Sequence, residues 1–310
     1  MKIIVPDYYQ NFTCIADKCR HSCCVSWEID IDEYTVDYYE SLSGSIGSKL
    51  KESIQKTDDG YSFHLDKDER CPFLTGSGLC ELILELGEES LCEICREHPR
   101  FRNYYSGRTE IGLGLCCESA AGMILLESAP VSFVCLGDDG EEEICSTAEQ
   151  ENLRFRDMLI SVAQDRSYNI LERVSIIEGL AVPHRSVSPS ALAEFMLGLE
   201  RLDEAWSADL NSVSDISSLD LPISLASTEW QNALEQLLVY LLFRHSQLDN
   251  FELFAVSMWR LLTAILSARC LRGESLCIED FIELCRMWSC EIEYSDENIE
   301  LICNLLLSKE

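Results

Sequence analysis

The segment CIADKCRHSCC, residues 14–24, carries four thiols in eleven positions, two of them adjacent. Thiols at that density pair as disulfides, hold a metal, or surround one reactive nucleophile. Ten of the chain's 17 cysteines lie at or before Cys117, namely Cys14, Cys19, Cys23, Cys24, Cys71, Cys80, Cys92, Cys95, Cys116 and Cys117. A tetrahedral site takes thiolates about 2.3 Å from zinc, and an iron–sulfur cluster likewise takes four cysteines. Cysteines two or three residues apart in a turn reach one such centre, and Cys19 with Cys23, and Cys92 with Cys95, meet that spacing. A centre shared between the early and later groups would staple the chain between them and add its binding free energy to folding.

The opening MKIIVPDYYQNFTC leads into acidic, cysteine-rich sequence, not into an apolar stretch with a small-residue cleavage site, and no run approaches 18 consecutive apolar residues. The expectation is a soluble cytoplasmic chain. Structural disulfides rarely persist in that compartment, so clustered thiols there bind metal. Spacing does not separate zinc from iron–sulfur, nor one centre from two. His21 and His98, the histidines near a cysteine group, read as surface groups or as partners of ligands. The number of thiols, with Arg96 and Arg100 placed to offset an anionic centre, favours iron–sulfur, of the 4Fe-4S type, over zinc. The seven later cysteines read as small buried hydrophobes.

The elements that would position these groups divide unevenly. Cysteine density falls near residue 117, which places a cysteine-rich, metal-organised module at 1–125 and an acidic helical domain at 126–310. In the first, a helix over 32–57 capped by Asp32 is expected, then short strands around Gly76 and Gly78, then a hairpin turning at Ser106 and Gly107. Beyond it, periodic segments near 147–164, 168–180, 188–208, 228–246, 251–271, 277–289 and 296–308 predict an irregular helical bundle. DDGEEE, RSVSPS and SVSDISSLDLPISLAS punctuate them as loops. The fold class is α+β, mostly α.

The net charge of −31 splits into −10 over residues 1–120 and −21 over the remainder. That surface repels nucleic acid and anionic membrane, and either attracts a cationic partner or simply keeps the protein soluble.

Three stretches, VPDYYQNFTCIADKCRHSCCVSWEIDID, RCPFLTGSGLCELILELGEESLCEICREHPR and GLCCESAAGMIL, resemble the flagellin lysine-N-methylase family. That family belongs to a wider cysteine-rich group regarded as zinc- or iron-chelating, marked by a cysteine run ending in a pair, here Cys23–Cys24, and a later C-R-x-x-P, here Cys95, Arg96 and Pro99. The likeness covers about the first 125 residues, and members of the family are longer than this chain. It implies a cytoplasmic enzyme that moves methyl groups from S-adenosylmethionine to flagellin lysines and carries a cluster on these cysteines.

An amine attacks a methyl group only when neutral, whereas a free lysine has a pKa of about 10.4, so the site must desolvate it or supply a base. Tyr8 and Tyr9 are the candidate catalytic groups. Phe12 and Trp27 are candidates for holding the donor's sulfonium by cation–π attraction. No G-x-G-x-x-G loop follows a strand, with GLGLCC the nearest, and the radical C-x3-C-x2-C pattern fails because Ser26 stands at its last position. The competing readings are a non-catalytic iron–sulfur or redox module and a zinc-organised interaction module.

Overall fold

The computed structural model describes residues 1–58, 60–138, 140, 146–181, 187–213, 222 and 225–308. Most of the three loop runs expected above falls outside them. The chain is 56% helix and 12% strand, which makes it α+β and mostly α. It divides into two compact units, Thr13–Arg100 and a second comprising Met1–Phe12 with Phe101–Glu310. The sequence places its boundary near 125, but residues 5–12 of the first family-like stretch and the whole of the third, at 114–125, take part in the larger unit. The reason is strand pairing, which composition does not show.

In the larger unit, β1 (Lys2–Pro6) lies between β5 (Arg108–Leu113) and β6 (Phe133–Asp138), in the sheet order β4-β5-β1-β6 with β4 at Arg100–Tyr105. β1 runs parallel to β5, with Lys2 opposite Arg108, and antiparallel to β6, with Val5 opposite Val134. The β4–β5 hairpin turns at Ser106 and Gly107 as the sequence predicts, with φ +91° at Gly107. Gly112 is required because a Cβ there would lie 2.3 Å from the Phe101 ring.

Helices α5 (Glu118–Leu125), α6 (Thr147–Ala163), α7 (Ile170–Leu180), α8 (Pro189–Met196), α9 (Glu204–Ser212), α10 (Thr228–Arg244), α11 (Phe251–Leu271), α12 (Ile278–Trp288) and α13 (Asp296–Leu307) follow. The helix expected over 188–208 is broken between α8 and α9. The Glu291 carboxylate accepts the N–H groups of Leu202 (2.9 Å) and Asp203 (2.7 Å), and Asp203 restarts the chain as an N-cap accepting from Ala205 N–H. A long-range acceptor of this kind leaves no local trace. α10 and α11 form the core; α11 has the length and composition of a membrane span, but 89% of its apolar window is buried in the protein.

The smaller unit begins its regular structure with α1 (Glu33–Ser41), capped by Asp32, which accepts from Thr35 N–H at 3.0 Å. The expected single helix over 32–57 is two helices and a strand: α1, α2 (Gly44–Ser53) and β2 (Ile54–Lys56). Gly44 at φ +83° and Gly47, whose Cβ would lie 2.5 Å from the Leu42 carbonyl oxygen, allow the break. β2 pairs with β3 (Tyr61–Phe63). The stretch after Gly78, expected as strand, is helix α3 (Glu81–Leu86), in which three Leu and two Glu side chains are strong helix formers and only Leu82 is buried. α4 (Glu93–Glu97) completes the unit.

Candidate metal centre

The thiols of the smaller unit are carried on paired backbone. Residues 24–31 run beside the strand region: Cys71 N–H donates to the Cys24 carbonyl at 2.9 Å, Ser26 N–H to that of Glu69 at 2.9 Å, and Phe63 N–H to that of Ile29 at 3.0 Å. Val25 bridges to Arg70, and Leu74 bridges to Cys80 around the turn that Gly78 closes at φ +80°. The Asp17 Cα lies 3.5 Å from where a Gly78 Cβ would be, so the 14–21 segment passes over that turn. Cys92 stands at the N-cap of α4 and Cys95 within it, and Glu93 N–H donates to the Asp32 carboxylate at 2.9 Å, which fastens α4 to the start of α1. Tyr39, fully buried, donates its hydroxyl to the Ser90 carbonyl at 2.7 Å.

Cys24, Cys71, Cys80, Cys92 and Cys95 come together as a result. Charge on Cys24, Cys80 and Cys92 bears on the ionisation of Cys71, charge on Cys24 and Cys92 on that of Cys80, and charge on Cys92, Cys24 and Cys71 on that of Cys95. The Cys23 thiol, by hydrogen bonding, holds Cys24 down at about 7 against the effect of burial, with Ser22 and Arg70 assisting. Burial pushes Cys71 up to about 12 and raises Cys80. Within the Cys92–Cys95 pair, the hydrogen bond between them lowers Cys92 and raises Cys95, so one proton stays on Cys95. Burial and the neighbouring thiolates raise the Tyr39 phenol well above its usual range. Burial first, then Arg100, drops His98 to about 4 and keeps it neutral.

The early and later cysteine groups are therefore neighbours through Cys24, whose carbonyl accepts from Cys71 N–H. Cys14 is exposed, with Ala16 N–H 3.4 Å from its sulfur, and Cys19 donates to the His21 carbonyl at 3.3 Å. Cys23 is exposed and reaches the set through Cys24. Cys116 and Cys117 belong to the larger unit: Cys116 is buried near Cys290 and Tyr294, and Cys117 stands at the N-cap of α5. The five convergent thiols suit a thiolate-bound centre in donor type and number, with no hard oxygen ligand required. Among the described residues, no three Cys, His, Asp or Glu side chains are arranged to hold an ion as they stand; the thiols instead make the hydrogen-bonded pairs just described.

Of the aromatic candidates, Tyr8 is buried in the helical core, where burial and then Asp7 raise its phenol well above the ordinary value and keep it protonated. Tyr9 and Phe12 pack half-buried against the same core. Trp27 is half-buried in the cysteine unit. Arg70, which the sequence reading did not name, helps to lower Cys24.

Sequence reasoning also missed a buried polar network. After α12 the chain makes a π-helical turn, Ser289–Glu293. The buried Glu293 carboxylate accepts from Tyr240 Oη at 2.7 Å, pairs with Arg244 Nε at 3.1 Å and His245 Nε2 at 2.8 Å, and accepts from Ser289 Oγ. The only local signal is an Arg-His pair ending the apolar run of α10.

No family model matches the chain, and no solved structure matches it. Curated relatives do. Over 126 residues the chain is 27% identical to a lysine-N-methylase of Salmonella choleraesuis (strain SC-B67), a match covering 39% of this chain and 31% of that one. The Salmonella typhimurium lysine-N-methylase gives the same identity and coverage. The flagellar biosynthetic protein FliU of Salmonella muenchen is 26% identical over 126 residues, covering 39% of this chain and 75% of FliU. The match thus spans about a third of the two methylases' length.

Proposed function

We propose that this protein is a protein-lysine N-methyltransferase that uses S-adenosylmethionine to modify flagellin in the cytoplasm, and that its cysteine unit carries a thiolate-bound metal centre, a 4Fe-4S cluster. The likeness to the Salmonella lysine-N-methylases carries the catalytic half of this reading. The meeting of Cys24 with Cys71, Cys80, Cys92 and Cys95 carries the metal half.

In the proposed reaction the neutral lysine amine gives its lone pair to the donor's methyl carbon, the carbon–sulfonium bond breaks with its electrons returning to sulfur, and the amine then sheds a proton. Cys24, Cys71, Cys80, Cys92 and Cys95 would hold the centre, which supplies folding free energy and, if redox-active, an electron store. Tyr8 is positioned to pack, since a buried protonated phenol accepts no proton at neutral pH. Trp27, still partly open to solvent, is the better placed aromatic for a sulfonium.

The direct test incubates anaerobically purified protein with S-adenosylmethionine and flagellin and follows flagellin by peptide mass spectrometry. A gain of one CH2 per event on lysine supports the proposal; no gain from fully metal-loaded protein refutes it. The limited coverage of the methylases favours one competing reading, a metal-binding redox or interaction module without transferase activity. Calorimetry with S-adenosylmethionine separates the two, because the module binds no donor. Iron and zinc counts with an absorption spectrum decide the metal.

A further inference from the structure

β6 is the terminal strand of its sheet among the described residues, with β1 as its one strand partner. Val134, Cys135 and Leu136 are all exposed, Val134 at 39% and Leu136 at 40%. Its root is fixed, because Phe133 packs on Phe243 with ring centroids 4.7 Å apart. Asp7 N–H donates to the Ser132 carbonyl at 2.9 Å, so the alternation of an antiparallel ladder turns the backbone groups of Phe133 and Cys135 away from β1. Pro6, which has no N–H to give, sits opposite Phe133, as that alternation demands. A bulge at Leu136 shifts the register, and pairing resumes with Ile3 opposite Gly137 and Lys2 opposite Asp138.

Such an edge invites another strand, and proteins ordinarily guard it with lysine, proline or a covering segment. Between Phe133 and Gly137 β6 carries no charged residue and no proline, and the chain then continues as DDGEEE. A second copy is a poor occupant, since each chain bears a net charge of −31. The complementary occupant is cationic.

We propose that the β6 edge captures an extended, lysine-bearing segment of a protein substrate by strand addition, pairing along Phe133–Cys135. This rests on the lysine-methylase reading and names how the substrate is held.

The test measures, by fluorescence anisotropy on the full chain, binding of a short labelled peptide that alternates lysine with valine. Controls are a glutamate–valine peptide and a lysine–valine peptide methylated on alternate backbone nitrogens. Wild type should bind the first and neither control. Cys135→Pro, which removes an outward N–H without touching the β1 ladder, should weaken binding by about tenfold or more at an unchanged melting temperature. Val134→Lys, which leaves the backbone intact, should weaken it severalfold. Equal affinity for the backbone-methylated peptide, no binding to wild type, or self-association abolished by Cys135→Pro would each overturn the proposal. Methyl transfer is read separately: transfer to flagellin with unaltered peptide binding in Cys135→Pro sinks only the edge, whereas peptide capture without transfer sinks only the methylase reading.

Discussion

Replacing Glu293 by glutamine is the sharpest test of how the helical unit is held. The Glu293 side chain is 0% exposed and that of Arg244 8%, so their attraction is little screened by water. Arg244, Tyr240, His245 and Ser289 converge on this one carboxylate. Removing its charge strands a buried guanidinium, and truncating one partner of a buried pair costs about 3–5 kcal/mol. The amide also turns a donor toward groups that donate, so at least one hydrogen bond is lost within the same cost. For a unit of this size that amounts to a fall in melting temperature on the order of 10 °C. Urea unfolding followed by the fluorescence of buried Trp206, Trp259 and Trp288 measures it. Arg244→Met combined with Glu293→Gln should recover much of the loss, because no uncompensated charge remains. A single-variant cost under about 1 kcal/mol, or a double variant no better than the single, refutes the reasoning. Metal content should not change, since none of the five convergent thiols belongs to this unit.

Serine at Cys24, Cys71, Cys80, Cys92 or Cys95 should cut metal affinity at least about tenfold in all but one case, since a four-thiolate centre leaves one of five thiols spare; elemental analysis showing full loading in all five variants would remove the centre, and Cys270→Ser serves as the neutral control. Gly47→Ala should destabilise the protein by about 1–3 kcal/mol despite alanine's better helix propensity, because the new Cβ would lie 2.5 Å from the Leu42 carbonyl oxygen; a raised melting temperature would show that the α1–α2 break yields easily. Glu149 is held at about 2 by Ser146 N–H first and then by the Ser106 N–H and hydroxyl, below its ordinary 4.5. A depressed carboxylate contributes stability that is present above about 4.5 and lost as pH falls toward 2, so Glu149→Gln should lower stability at neutral pH, flatten acid unfolding in that window and match wild type near pH 2; a variant as stable as wild type at neutral pH refutes this.

Periodicity located α6, α7, α10, α11, α12 and α13 to within a residue or two, because each buries a continuous apolar face that repeats at helical spacing. It failed where distant groups decide the backbone. The α8–α9 break depends on Glu291, almost ninety residues away, and the α1–α2 break on a carbonyl that only Gly47 tolerates. At the cysteines, spacing singled out Cys92 with Cys95, which pair at the start of α4, and Cys19 with Cys23, neither of which joins the later thiols. It could not say which member of the run at 14–24 turns inward. Cys24 does so because its carbonyl is tied to Cys71 N–H and its neighbour Val25 bridges to Arg70. The π turn and its network were invisible because Glu293 sits amid acidic residues that read as surface.

The smaller unit explains why a centre at the five thiols would matter for folding as much as for chemistry. Its strands are three residues long and its helices five to ten. Its apolar core rests on Ile29, Ile31, Val36, Tyr39, Leu50, Phe63, Phe73 and Leu82, with Cys71 and Cys92 buried among them. Scaffolds with so little regular structure ordinarily need a staple. Without one, burial first and the neighbouring sulfurs after it make Cys71 and Cys80 harder to ionise, and these thiols gain only what small buried hydrophobes gain. A bound cation would reverse the sign of the sulfur–sulfur interaction: each thiolate that opposed its neighbours would become a ligand, and the loop between Cys24 and Cys71 would be closed by coordination as well as by the hydrogen bonds and bridges that pair residues 24–31 with 61–71. Folding and metal loading of this unit should therefore rise and fall together, and a chelator that leaves it fully folded would show that the core alone suffices.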